Sequence, residues 1–241
     1  MIPGHSRQDF QHTQWSLAMR TGAPQAVDAR EALAKLCLRY WYPIYAYLRQ
    51  AGHGPADAQE ITRSFLQHLF GHFLDSGTAL AQGRFRQYLL VRLRAFLTSS
   101  RHESPGGEVI AELIEPPPDL ELKYQRDNGG AHSPEQAYQQ GFAFELLARA
   151  SARLREEASQ TGRLDMYDAL EPFLAADPSA LENEELAQRL GTRSVTIAVA
   201  IRRLRQRFRE VIDTELADTV ASADELQAEQ QALYAVLRES G

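Results

Sequence analysis

Cys37 is the only cysteine in this chain of 241 residues. No intrachain disulfide can form, and the flanking Leu36 and Leu38 mark the thiol as a small core hydrophobe. No apolar run approaches about 18 residues, so no membrane span is expected. The first residues lack a basic stretch followed by an apolar core, so no secretory signal is expected and a cytoplasmic protein is the default. Strand-length alternation of apolar and polar residues is missing too, which leaves an all-α fold. The paired glycines, Gly106-Gly107 and Gly129-Gly130, follow no strand and make no phosphate loop. No serine stands in a nucleophile-elbow pattern. The only helically spaced histidine pair, His68 and His72, lacks the acid of a zincin motif, and Gly71 is expected to break the helix beside it. No metal, no cofactor and no enzyme activity are expected.

Charge is what the chain has in abundance, and it is segregated. The formal net charge is −6. Residues 1–102 carry 12 Lys and Arg against 6 Asp and Glu, whereas residues 103–145 carry 2 against 9. Residues 194–209 hold 5 arginines and no acid, and residues 210–241 hold 1 base against 8 acids. A net acidic balance argues against nucleic acid, but the local field decides contact, and two separate basic blocks remain.

Helical periodicity organises the rest. Leu33, Leu36, Cys37 and Tyr40 recur at helical spacing and lead into Trp41, Tyr42, Tyr45 and Tyr47, with Pro43 expected to interrupt or kink the helix. A second helix starts near Pro55 and runs to about Phe73, with Ala58, Ile61, Phe65 and Leu69 inward and Glu60, Arg63, Ser64 and Gln67 outward. A third runs from Arg84 to about Thr98 on a core stripe of Phe85, Tyr88, Leu89, Leu93 and Phe96. Trp15 and Trp41 are expected in the core. Residues 103–133, rich in Pro, Gly and acids, read as a flexible linker between domain 1–102 and domain 134–241. Helices then resume over 135–157 and 164–174. A last one over 223–238 carries Leu226, Leu233, Tyr234 and Leu237.

The most specific local pattern is Glu184 to Arg209. A short helix places Leu186, Ala187 and Leu190 on one side, and Gly191 ends it as a left-handed cap. Ser194 is expected to cap a second helix. Val195, Ile197, Ile201, Leu204 and Phe208 supply its apolar positions. Two helices joined by a tight glycine turn form a helix-turn-helix, whose second helix enters the DNA major groove. Arg193, Ser194, Thr196 and Arg202 are the base-reading or positioning candidates, and Arg205 and Arg209 the phosphate contacts. Arg84, Arg86, Arg92 and Arg94 form a second set of phosphate candidates.

Five segments appear in a recognisable order: Thr13-Gln14-Trp15-Ser16-Leu17; Tyr40-Trp41-Tyr42-Pro43-Ile44-Tyr45-Ala46-Tyr47; Gly54-Pro55-Ala56-Asp57-Ala58-Gln59-Glu60; Gly83-Arg84-Phe85-Arg86-Gln87-Tyr88-Leu89; and the helix-turn-helix. Together they resemble bacterial RNA polymerase sigma factors of the extracytoplasmic-function group. The resemblance implies that domain 1–102 docks on core RNA polymerase and helps open promoter DNA. It implies that domain 134–241 reads the upstream promoter element. It assigns Asp57, Glu60, Arg63, Ser64 and Gln67 to the polymerase-docking face. That face departs from the family: Gln59, Arg63 and Ser64 stand where acids and a glutamine are typical. The strand-opening helix also stops short, at Ser99-Ser100-Arg101-His102, and Ala198 replaces a common lysine. Relatives without the acidic set are in some groups modified by a Ser/Thr protein kinase, so Thr62 and Ser64 become the phosphorylation candidates, Thr62 as a semi-buried core threonine. An anti-sigma factor is a further partner the family admits; a membrane is not. The runner-up is an adaptor or anti-activator that kept the architecture but not promoter opening. A one-site repressor ranks third.

Overall fold

The computed structural model describes residues 34–76, 84–99, 116–127 and 131–239. Among them every regular element is helical and no strand occurs. The fold class is all-α. The chain divides into two units, Met1–Glu145 with Leu216–Gly241, and Leu146–Glu215. The five-residue motif at Thr13 and the side chain of Trp15 lie outside the described residues.

In the first unit, helical turns over residues 34–39 lead into α1, Trp41–Gln50, which buries every residue from Trp41 to Leu48. The break between them sits at Tyr40 (φ −105°, ψ 4°) and not at Pro43. Pro43 is the third residue of α1, where its missing N–H is one that would have no intrahelical acceptor anyway. Cys37 is fully buried, and that burial pushes its thiol up to about 12. Helix α2, Pro55–Ser76, starts on its proline with Asp57 in the first turn. Gly71 lies inside α2, buried, and does not break it. Helix α3, Phe85–Thr98, buries Phe85, Leu89, Leu93 and Phe96. The Phe96 ring meets Phe65 of α2 at 5.5 Å, and Tyr40 stacks on Phe142 at 5.4 Å.

The segment expected to be a flexible linker contains α4, Leu120–Asp127. Its acids are partners for α1. The Tyr45 hydroxyl donates to Glu121 at 2.6 Å, Arg49 grips both oxygens of Glu121 at 2.8 and 2.9 Å, and the Tyr42 hydroxyl donates to Asp127 at 3.1 Å. Lys123 lies 4.4 Å over the Tyr42 ring, and Arg49 lies 5.1 Å over Tyr124. Hydrogen bonds from Arg49 and Tyr45 hold the Glu121 carboxyl down at about 2. Residues 120–127 are therefore docked, and their acidity is spent on pairing rather than on repulsion.

Helix α5, Pro134–Gln160, crosses the division between the units. In its first part Gly141 sits against α1: a methyl group there would stand 3.2 Å from the Pro43 Cα, so glycine permits the close approach. The second unit then adds α6, Leu164–Leu170, a 3-10 turn over Glu171–Leu174, α7, Ala180–Arg189, and α8, Ser194–Ala217, most of which belongs to this unit. The last helix, α9, Ala223–Glu239, belongs to the first unit. It buries Leu226 and Leu233 and leaves Tyr234 exposed. The C-terminal segment Leu216–Gly241 thus groups with the first unit.

Candidate nucleic-acid interface

Local chemistry fixes both ends of α7. Ser179 and Glu182 form a reciprocal capping box, the Glu182 N–H donating to the Ser179 hydroxyl and the Ser179 N–H to the Glu182 carboxylate. The Ser-x-x-Glu spacing is the sequence signal for this cap. At the other end Gly191 adopts φ +62°. Its N–H donates to Gln188 O at 3.2 Å, and the Thr192 N–H donates to Ala187 O at 2.9 Å. This pair of bonds is the glycine-dependent stop expected of the turn. Helix α8 begins at Ser194 itself, and the carbonyl of Arg193 accepts from Thr196 and Ile197 at 2.8 and 3.1 Å. The cap position therefore falls to Arg193, not Ser194.

The two helices share one core. Leu186 and Ala187 of α7 pack with Ile197 and Ile201 of α8 and with Ala169 and Leu170 of α6. Leu190 and Leu204 close its edges. Val195, expected in this apolar set, is instead 75% exposed. Facing away from the core, Arg193, Thr196, Arg202 and Arg209 are exposed and Ser194 is half-buried. Arg203 is exposed as well, and among the described residues neither it nor Arg202 makes an ion pair. Ala198, Arg202, Arg205 and Arg209 line one wall of a groove of about 450 Å³, with Asp177 and Asn183 opposite.

Two of the arginines counted as free cations are not. Arg205 donates to the Phe173 carbonyl at 2.9 Å and to Asp177 at 2.6 Å, so it ties α8 to the segment ahead of α7. A phosphate at Arg205 would have to compete with Asp177. Arg207 grips Glu157 of α5 at 2.8 and 3.0 Å and reaches Glu210 at 3.3 Å. Hydrogen bonding from Arg207 lowers the Glu157 carboxyl below its ordinary range.

In the first unit the second basic set is largely consumed. Arg86 is 3% exposed, pairs with Glu229 of α9 at 2.8 Å, lies 4.8 Å over the Phe142 ring and hydrogen-bonds Gln139. Arg84 pairs with the same Glu229 at 3.3 Å. Burial withholds Arg86 from solvent, whereas Arg84 keeps a partly exposed side chain, and no local sequence signal marked Glu229 as their partner. Arg94 pairs with Glu135, while Arg92 is half-exposed.

On α2, Asp57 and Glu60 are exposed, and Arg63, Ser64 and Gln67 are partly so. Arg63 is bonded to Glu60 at 2.9 Å, which neutralises that carboxylate locally without changing the net charge of the face. Thr62 is 0% exposed, and its hydroxyl donates to Ala58 O at 2.7 Å. It is a full core residue rather than a semi-buried one, and no kinase reaches it in this conformation. His68 packs 5.4 Å from the Phe96 ring.

No family model, no curated protein and no solved structure matches this chain. The functional reading therefore rests on the residues themselves. Among the described residues, no helix is long and apolar enough to cross a membrane.

Proposed function

We propose that this chain is a transcription factor of sigma type, which brings core RNA polymerase to promoters and places α8 in the DNA major groove. The observation that carries the reading is the outward face of α8. It presents Arg193, Thr196, Arg202, Arg203 and Arg209, with no acid from Ser194 to Arg209, on a helix fixed by the Gly191 turn. Such a face meets phosphates and base edges together. On α2, Ser64 is the hydroxyl in reach of a Ser/Thr kinase, and a phosphate there would add about −1.5 to −2 charge to an acid-poor docking face. An anti-sigma factor would compete for the same surfaces.

Run-off transcription with the chain and purified core polymerase tests this reading. Promoter-specific transcripts that vanish with Arg202→Ala are the expected result. Transcription unaffected by Arg202→Ala would refute the assignment of α8. A second reading is favoured by the capture of Arg84 and Arg86 by Glu229, which removes cations from the helix that would hold opened DNA. On that reading the chain is an adaptor or anti-activator, and it co-purifies with core polymerase while yielding no run-off product.

A further inference from the structure

The outermost line of α8 starts apolar. Within Ser194–Arg209, at about 100° per residue, the positions farthest from Ile197, Ile201, Leu204 and Phe208 are Val195, Val199 and Gln206, with Arg202 and Arg203 on either side. Val195 is 75% exposed and Val199 is 43% exposed. Valine is also a mediocre helix former, so local propensity does not recommend it at an exposed helix position. These two side chains therefore present apolar surface to solvent, Val199 at the rim of a groove it shares with Ala158 and Met166. Their flanks are cationic: Arg193 precedes them, and Arg202 and Arg203 follow one turn on. An apolar feature set within a polyanion is what the major groove offers, as the C5-methyl group of thymine between phosphate walls.

The composition of the face narrows the readout further. From Arg193 to Arg203 there is no Asn, Gln, Asp or Glu. The bidentate readers of adenine and the acceptors for the cytosine amino group are thus missing from the turns that reach deepest. Gln206 lies beyond them and is bonded along the helix to Glu210 at 3.1 Å. What remains is arginine, which pairs with guanine, the Ser194 and Thr196 hydroxyls, which discriminate little between bases, and apolar surface, which contacts thymine methyls.

We propose that Val195 and Val199 are specificity-determining residues that read thymine methyl groups. This rests on the reading of α8 as the DNA-contacting helix and says which bases it selects. Four residues of helix rise about 6 Å, so the two valines span roughly two base-pair steps. Arg202 follows about 4.5 Å further along the axis. The preferred site thus holds thymines within a few base pairs of a guanine.

The experiment uses the full chain. A preferred duplex is selected from a random-sequence pool, and each thymine in it is then replaced singly by deoxyuridine, which removes only the methyl group. Loss of one buried methyl should weaken binding about four-fold. This loss should appear at one or two positions with the unaltered chain. It should disappear at the matching position with Val195→Ala or Val199→Ala, whose exposed sites keep the fold intact. Selection of a duplex whose affinity ignores every deoxyuridine overturns the valine inference and leaves the DNA reading of α8 standing. A deoxyuridine loss of equal size in both variants and the unaltered chain also overturns it, since the methyl then meets another side chain. Failure to enrich any duplex overturns the DNA reading itself, and the valine inference with it.

Discussion

Glu229 is the residue whose replacement tests the architecture of the first unit most sharply. Its side chain is 1% exposed and stands between Arg86 at 2.8 Å and Arg84 at 3.3 Å. Arg86 is itself 4% exposed at the side chain, so it cannot turn to water when its partner is lost. Breaking a buried pair by removing one member costs about 3–5 kcal/mol, because an uncompensated charge stays behind. For a chain of this length each kcal/mol moves Tm by about 2–4 °C. Glu229→Ala should therefore lower Tm by roughly 6–20 °C, read by scanning calorimetry or far-ultraviolet circular dichroism. The double variant Arg86→Met, Glu229→Leu should recover most of the loss, since a buried pair and its apolar replacement are close in free energy. A shift for Glu229→Ala of about 1–2 °C, the size expected of a surface change, would refute the buried pair and with it the placement of α9 on α3.

Three further outcomes follow from local geometry. Gly191→Ala meets no neighbouring atom within 4 Å but must hold φ +62°, so it should lose about 1–2 kcal/mol from the left-handed backbone alone; denaturant unfolding should show this, with Gly191→Asn losing less. Glu121 has its carboxyl depressed from 4.5 to about 2 in the folded state. Its contribution is full above pH 4.5 and fades as pH falls toward 2, so Glu121→Gln should flatten stability in that acid window and change its slope little at neutral pH. Thr62→Glu places a charge in a site with no exposure, whereas Ser64→Glu changes a partly exposed one. The first should fail to fold or lose several kcal/mol, and the second should stay within about 0.5 kcal/mol, both read by thermal melts.

The parts of the fold that were legible in the sequence are those in which cause and effect lie within a few residues. Gly191 had to be a turn because only its neighbours needed it there. Leu186, Ala187, Ile197 and Ile201 faced one another because short helices joined by a short turn leave little choice. The all-α class followed from the same periodicity. Gly71 misled because the packing of Phe70 and Leu69 outweighs a propensity cost of about 1 kcal/mol. Val195 misled for the opposite reason: it is apolar and close in sequence to Ile197, yet two residues of helix place it about 160° away, on the outer face. The capture of Arg84 and Arg86 was beyond sequence reading, since nothing near Glu229 marks it as their partner. The docking of residues 120–127 was hidden the same way. Acids among prolines and glycines resemble a solvated tether, and only the tyrosine hydroxyls and Arg49 of α1 show what they bind.

The return of the C-terminal segment to the first unit sets an order of events during synthesis. Glu229 lies 143 residues downstream of Arg86, and the Phe85 N–H donates to the Thr219 carbonyl at 3.1 Å. At about 5–20 residues per second, a ribosome takes roughly 7–30 s to make the partner of an arginine it has already released. Until then the amino-terminal helices carry an unneutralised cation pair, and Leu226 and Leu233, buried in the finished fold, are still to be made. The second unit, whose residues are contiguous, has no such wait. The nascent chain thus completes its middle before its beginning, and the first unit is the stretch that needs shelter from aggregation while translation runs on.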